Sequence, residues 1–133
     1  MNATLIAELD ACTRLSQGAT GAFPTIVSRL LAAGVDQYHA DLLRAEKTYY
    51  MPDGDSHISS AEPVEGAIAD LFDPAAVAAA IRASQAASIS YTEFLKRIAA
   101  AGCTSYFVSL SGRRALYLGR RADSYIEYFP PQA

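Results

Sequence analysis

A polar set suited to binding an anion occurs twice in the sequence. Arg14 and Gln17 close an apolar segment, and Arg82 and Gln85 repeat the pair in the second half of the chain. Residues three apart share a helix face, and an arginine pair with amide donors suits a carboxylate or a phosphate. The alternative is structural, because Arg and Gln can also bond the last carbonyl groups of a helix and complement its dipole.

Four tyrosines form two pairs with the spacing that separates Arg14 from Arg82. The pairs are Tyr38 with Tyr106, and Tyr49 with Tyr117. Tyrosine combines a large apolar ring with a polar tip, so the four could form the floor of a ligand or partner surface. Packing in the core with a bonded hydroxyl is the alternative.

Glu127 is the one acidic residue inside the last predicted strand. It could act with a tyrosine as the acid/base pair of a small enzyme, or lie exposed at a sheet edge, which we favour. The sequence has no nucleophile elbow, phosphate-binding loop or dinucleotide motif, so we predict no catalytic residue.

Metal and cofactor sites are not predicted. His39 and Asp41 lie on one strand face but lack a third ligand, and the repeat replaces His39 with Phe107. Cys12 and Cys103 lie at apolar positions, and we expect buried, reduced thiols.

The same offset extends over the whole chain. Residues 1–65 align with 69–133 without a gap, with 17 identities, which indicates an internal duplication. Two residues that this alignment superimposes are called repeat equivalents below. We therefore predict a single domain, 1–133, made of two repeats.

Within each repeat the signals predict two helices and then three strands. Asp73-Pro74 and Ser90 are helix starts, Gly34 and Gly102 are helix stops, and alternating residues follow each glycine. The predicted fold class is α+β: two α-α-β-β-β units related by a pseudo-twofold axis. They would share a sheet of about six strands, antiparallel or mixed, with the helices packed on one face.

Charge and hydropathy exclude two classes. The net charge of −3 disfavours nucleic-acid binding, and no apolar run is long enough to span a membrane. The amino terminus lacks a basic signal region, so we expect a cytoplasmic protein. Residues 1–65 carry four basic and nine acidic side chains, whereas residues 66–133 carry seven and five. Arg113-Arg114 and Arg120-Arg121 make a local basic spot, which we interpret as a solvated strand edge protected by charge against aggregation. The alternatives are head-to-tail self-association of the acidic half with the basic half, and an anionic ligand.

Several stretches distributed along the chain carry a family resemblance: Phe23-Pro24, 33–35, 49–54, 80–82, 101–103, 117–119 and 127–130. In these stretches the chain resembles the YdfO-like family of bacterial and phage proteins of unknown function, to which the name phage envelope protein is often attached. The resemblance covers nearly the whole chain. It implies an α+β fold and no established activity, and nothing in the composition supports an envelope role.

Together these observations favour a non-enzymatic module that binds a ligand or a protein. We expect a homodimer or a partner-bound form, because one sheet face is left uncovered by the helices. The ligand would be a small anion or a peptide. The alternatives are the small enzyme described above and a self-associating phage accessory protein.

Overall fold

A computed structural model describes residues 1–130, so the last three residues of the second repeat lie outside the described part. Four helices and six strands follow one another in the order α-α-β-β-β, twice. They are α1 (Ala3–Ser16), α2 (Phe23–Ala32), β1 (Gln37–Asp41), β2 (Glu46–Tyr50), β3 (Ser56–Ser60), α3 (Pro74–Gln85), α4 (Tyr91–Ala100), β4 (Cys103–Ser109), β5 (Arg114–Gly119) and β6 (Ser124–Tyr128).

The helix boundaries follow the predicted signals. Asp73 accepts a hydrogen bond from the Ala76 amide, with Pro74 in the first turn of α3. Ser90 accepts from the Glu93 amide at the start of α4. The Glu93 carboxylate pairs with Arg97 instead of returning to the cap, so the reciprocal half of a capping box does not form.

The six strands form one sheet in the order β3-β2-β1-β4-β5-β6, and every pairing is antiparallel. The predicted α+β class is confirmed, and the mixed-sheet alternative is wrong. The two amino-terminal strands of the halves, β1 and β4, pair with each other at the centre of the sheet. His39 lies opposite Phe107, its own repeat equivalent.

Equivalent elements recur at the predicted offset. Helix α4 starts and ends at the repeat equivalents of the two ends of α2, and β6 does the same with respect to β3. A common evolutionary origin for the two halves stays a prediction.

The core lies between the helices and one sheet face. Strand residues alternate between buried and half-exposed, and the buried ones point to the helix side. The fully buried side chains include Leu9, Leu30, Val77, Ile98 and Val108. Both cysteines are buried and free, as predicted.

Gly34 and Gly102 end equivalent helices with φ near +86° and +89°, the left-handed region that favours glycine. Their surroundings differ. A Cβ at Gly34 would lie 3.5 Å from the Met51 Cε atom, in ordinary contact, whereas a Cβ at Gly102 would overlap the backbone carbonyl of Leu71. The segment joining the two halves therefore crosses directly over Gly102.

We expect Gly34→Ala to cost about 1–2 kcal/mol of stability through backbone strain alone. Gly102→Ala should cost at least about 2 kcal/mol more, because the backbone at Leu71 must also move. Urea unfolding of both variants measures the difference. Equal losses would show that the linker yields without cost.

Candidate functional site

A cavity of about 330 Å³ lies between the helix pairs and the sheet, at the lower end of the range for small-molecule sites. Both halves of the chain line it. Six pairs of repeat equivalents contribute on both sides: Ser16 with Ser84, Ala19 with Ala87, Phe23 with Tyr91, Ile26 with Phe94, Tyr38 with Tyr106, and Lys47 with Ala115. The cavity therefore lies between the two halves of the chain.

Lys47 is the unusual residue of this cavity. It is only 4% exposed, because Lys47 and Tyr49 lie two residues apart on the same side of β2, the side that faces the core. Its ammonium group donates to the Ser16 Oγ atom at 3.3 Å and lies 4.6 Å from the centre of the Tyr91 ring. No carboxylate of the described residues lies within ion-pair distance of it.

Burial lowers the pKa of Lys47 from 10.5 to about 8, because the charged form loses its hydration. The negative charge of Glu62 opposes this effect in part. Glu62 accepts from the Thr92 hydroxyl through Oε2, and its Oε1 atom is buried without a hydrogen-bond partner in the described chain. A lysine whose charge is only partly compensated is therefore held in the interior at a cost to stability.

Tyrosine rings form one wall of the cavity. Tyr106 and Tyr117 lie with ring centres 5.1 Å apart, and the Tyr106 and Tyr91 hydroxyls share a hydrogen bond of 2.6 Å. Burial raises the pKa of Tyr38, Tyr106, Tyr117 and Tyr91, so these hydroxyls stay protonated. Tyr38 and Tyr117 have no hydroxyl hydrogen bond to any residue from 1 to 130, so they can donate one to a ligand.

Of the four tyrosines predicted as a binding surface, three line the cavity and one lies in the core. Tyr38, Tyr106 and Tyr117 line the cavity. Tyr49 lies deeper and bonds the Thr13 hydroxyl at 2.7 Å. Since Thr13 gives its own proton to the Leu9 carbonyl, Tyr49 is the donor, and its role is in the core.

The two Arg/Gln sets do not come together. Arg14 and Gln17 are exposed and do not line the cavity, and Arg82 also lies outside it. Gln85 alone of the four reaches the lining. The serines between them, Ser16 and Ser84, are the repeated polar residues that do meet there, because they lie on the inward side of α1 and α3.

Glu127 lies on β6, an edge strand as expected, but it lines the cavity and is mostly buried, so the expected exposure is wrong. One carboxylate oxygen pairs with Arg82, and the other accepts from the Tyr125 hydroxyl at 2.8 Å. Both oxygens are thus occupied. The acid/base role of Glu127 stays a prediction.

Sequence reasoning missed Lys47 and the pair Phe23 and Tyr91. The repeat contained the signal for Lys47: it takes the place of Ala115, a buried position, in a strand whose alternation turns it inward. Because the repeat equivalent of Lys47 is a buried alanine, Lys47 is expected to be buried as well.

The histidines lie outside the cavity. The His39 ring stacks on Phe107 at 4.2 Å, and His57 contacts Asp10. Within residues 1–130 no three His, Cys, Asp or Glu side chains converge as a metal site would require. In the same range no helix is long and apolar enough to cross a membrane.

Comparison with known proteins identifies the family of this chain and assigns no activity to it. Residues 12–126 match the family model for a protein of unknown function (DUF1398), and the chain belongs to that family. It is 30% identical to uncharacterized proteins of Mycobacterium tuberculosis and Mycobacterium bovis, over 129 residues that cover 93% of this chain and 78% of each relative. The finer YdfO-like name and the phage label stay predictions.

We predict that Lys47→Met raises the free energy of unfolding by about 1–3 kcal/mol at pH 7, because the charge no longer has to be buried. Between about pH 8 and pH 10.5 the unfolded chain holds a proton that folded Lys47 has lost, so stability of the native protein rises with pH. The advantage of the variant should therefore shrink from pH 7 to pH 9.5.

Denaturant unfolding at several pH values measures this difference. Taking the difference between the two proteins removes the effect of the tyrosines, which is common to both. Lys96→Met, at an exposed position of α4, is the control and should show no such trend. A constant difference across this pH range would contradict the burial of a charged Lys47.

Proposed function

We propose that this protein binds a small, mainly apolar molecule that carries one acidic group, and that the cavity between the two halves is the site. The observation that carries the proposal is Lys47, a buried lysine without a carboxylate partner in the described chain, which faces the cavity. Burying an unpaired charge is costly, and a ligand carboxylate would supply the missing counter-charge.

The remaining lining supports the chemical class. Phe94, Tyr106 and Tyr117 present aromatic faces or edges to one another at centre distances between 5.1 and 6.4 Å. Such a wall favours an aromatic or branched aliphatic body. The hydroxyls of Tyr38 and Tyr117 are donors that could bind the acid oxygens. Arg14 and Arg82, the cations expected from the sequence, have no part in this proposal.

Phenylacetate, phenylethanol and phenylethylamine test the proposal as one series, because they share the ring and differ in charge. We expect phenylacetate to bind most tightly and the amine least, as measured by calorimetry or thermal shift at pH 7. In Lys47→Met the preference for the acid over the alcohol should fall by about tenfold or more.

Lys96→Met serves as the matched control and should keep that preference. If no member of the series binds at millimolar concentration, or if Lys47→Met keeps the preference for the acid, the proposal is wrong.

Self-association is a second candidate function, and the uncovered sheet face favours it. A row of residues in register crosses all six strands on that face, and its two ends are 59% and 44% exposed. Apolar residues dominate the row, which consists of Ile58, Thr48, His39, Phe107, Leu116 and Ile126.

Charge on the same face favours a second copy of this chain as the partner. Glu46 and Arg114 are repeat equivalents that begin β2 and β5, two antiparallel strands that each lie second from an edge of the sheet. Standard strand spacings separate them by about 14 Å across the strands and about 14 Å along them. A twofold axis perpendicular to this diagonal would place Glu46 of one copy over Arg114 of the other, and the reverse. The strands of the two sheets would then cross near 90°, which is a known packing mode.

Sedimentation of charge variants tests the dimer. Glu46→Arg and Arg114→Glu should each weaken association by about tenfold or more through like charges across the interface. The double exchange should restore it. Arg97→Glu, on the helix side, is the control. A native chain that stays monomeric at high concentration would exclude this candidate.

A further inference from the structure

The chain has two lysines, and their surroundings are opposite. Lys96 lies exposed on α4. Lys47 is buried and lines the cavity. A reagent that reacts with lysine side chains therefore meets one amine in open solvent and one inside the proposed ligand site.

The hydrogen bonds around Lys47 leave its amine directed toward the cavity. Ser16 donates its own hydroxyl proton to the Thr13 carbonyl at 2.7 Å, so it can only accept from the Nζ atom of Lys47. The rings of Tyr91 and Tyr38, with centres 4.6 and 5.7 Å from Nζ, offer π faces and no acceptor of comparable strength. One N–H is thus fixed by Ser16, and the rest of the amine is free to face a ligand.

The charge state also suits a nucleophile. Because burial lowers the pKa to about 8, about a tenth of the Lys47 amine is neutral at pH 7. The charged groups near it are limited. Glu62 acts on it only at longer range, and Glu127, on the other side of the cavity, is neutralised by Arg82. Desolvation is a recognised way to activate a lysine toward carbonyl groups.

We propose that Lys47 captures a small aromatic aldehyde or ketone as a reversible imine inside the cavity. This rests on the proposed function in one respect, since the carbonyl compound must occupy the same cavity. It adds a covalent step to a site that otherwise only binds.

The step balances without an external oxidant or reductant. The Nζ lone pair attacks the carbonyl carbon, the C=O π electrons move to oxygen, and one proton passes from the nitrogen to that oxygen. The resulting carbinolamine loses its hydroxyl group and the nitrogen proton as water, and a C=N bond forms. The protonated hydroxyls of Tyr38 and Tyr117 face the same cavity and can donate hydrogen bonds to the carbonyl oxygen during addition.

Reductive trapping with benzaldehyde and cyanoborohydride at pH 8 tests the imine on the full chain. Intact mass and peptide mapping then locate the stable benzyl adduct. We expect Lys47 to be modified at least about tenfold faster than Lys96, because burial lowers the pKa of the Lys47 amine. Lys96→Arg should keep the fast adduct, and Lys47→Arg should lose it.

Two results would overturn the proposal: an adduct on Lys96 or on the amino terminus that forms as fast as the one on Lys47, or a rate unchanged in Lys47→Arg. Mapping of the native chain gives the decision even if that variant fails to fold. Phenylacetate binding without a Lys47 adduct would refute the imine alone. Absence of both would refute the imine and the proposed function together.

Discussion

The antiparallel pairing of β1 with β4 is the interaction on which the whole structure depends. Each half alone would be a three-stranded sheet with two helices on one side. Its first strand, β1 or β4, would be an edge strand with unpaired backbone groups. Pairing these edges makes one continuous sheet and brings the two helix pairs over it. Since His39 faces its equivalent Phe107 in the register, the halves meet symmetrically, and the space between the helix pairs becomes the cavity.

The core residues stabilise the fold, whereas the buried lysine at the cavity lowers its stability. Val77, Ile98 and Val108 are fully buried and gain from the removal of apolar surface from water. Lys47 loses hydration and gains only one hydrogen bond and the faces of two rings. Sites that serve function often violate the packing rules that the rest of a protein obeys, and Lys47 is the clearest violation in the described chain.

Local signals in the sequence were sufficient for the elements and for the class of fold. Asp73-Pro74, Ser90 and the glycines at 34 and 102 each act within a few residues, so their structural effect can be read without knowledge of the tertiary fold. The antiparallel choice for the central pair required a long-range contact, and the sequence left it open.

The site was harder to predict because a polar repeat does not reveal which side of a helix faces inward. Arg14 and Arg82 attracted attention as charged and repeated residues, yet they lie outside the cavity, whereas Ser16 and Ser84 beside them line it. Lys47 has no charged equivalent in the second half, so a search for repeated residues passes over it. Its burial follows from strand phase, a weaker signal than charge.

The exchange of lysine for alanine between positions 47 and 115 gives the cavity a direction. Both halves contribute aromatic and small residues to the lining, with five of the seven aromatic ones from the second half. A single cationic side chain, supplied by the first half only, distinguishes the two ends. A guest with one polar terminus would then adopt one orientation, so that a nearly symmetric scaffold can select a polarised molecule.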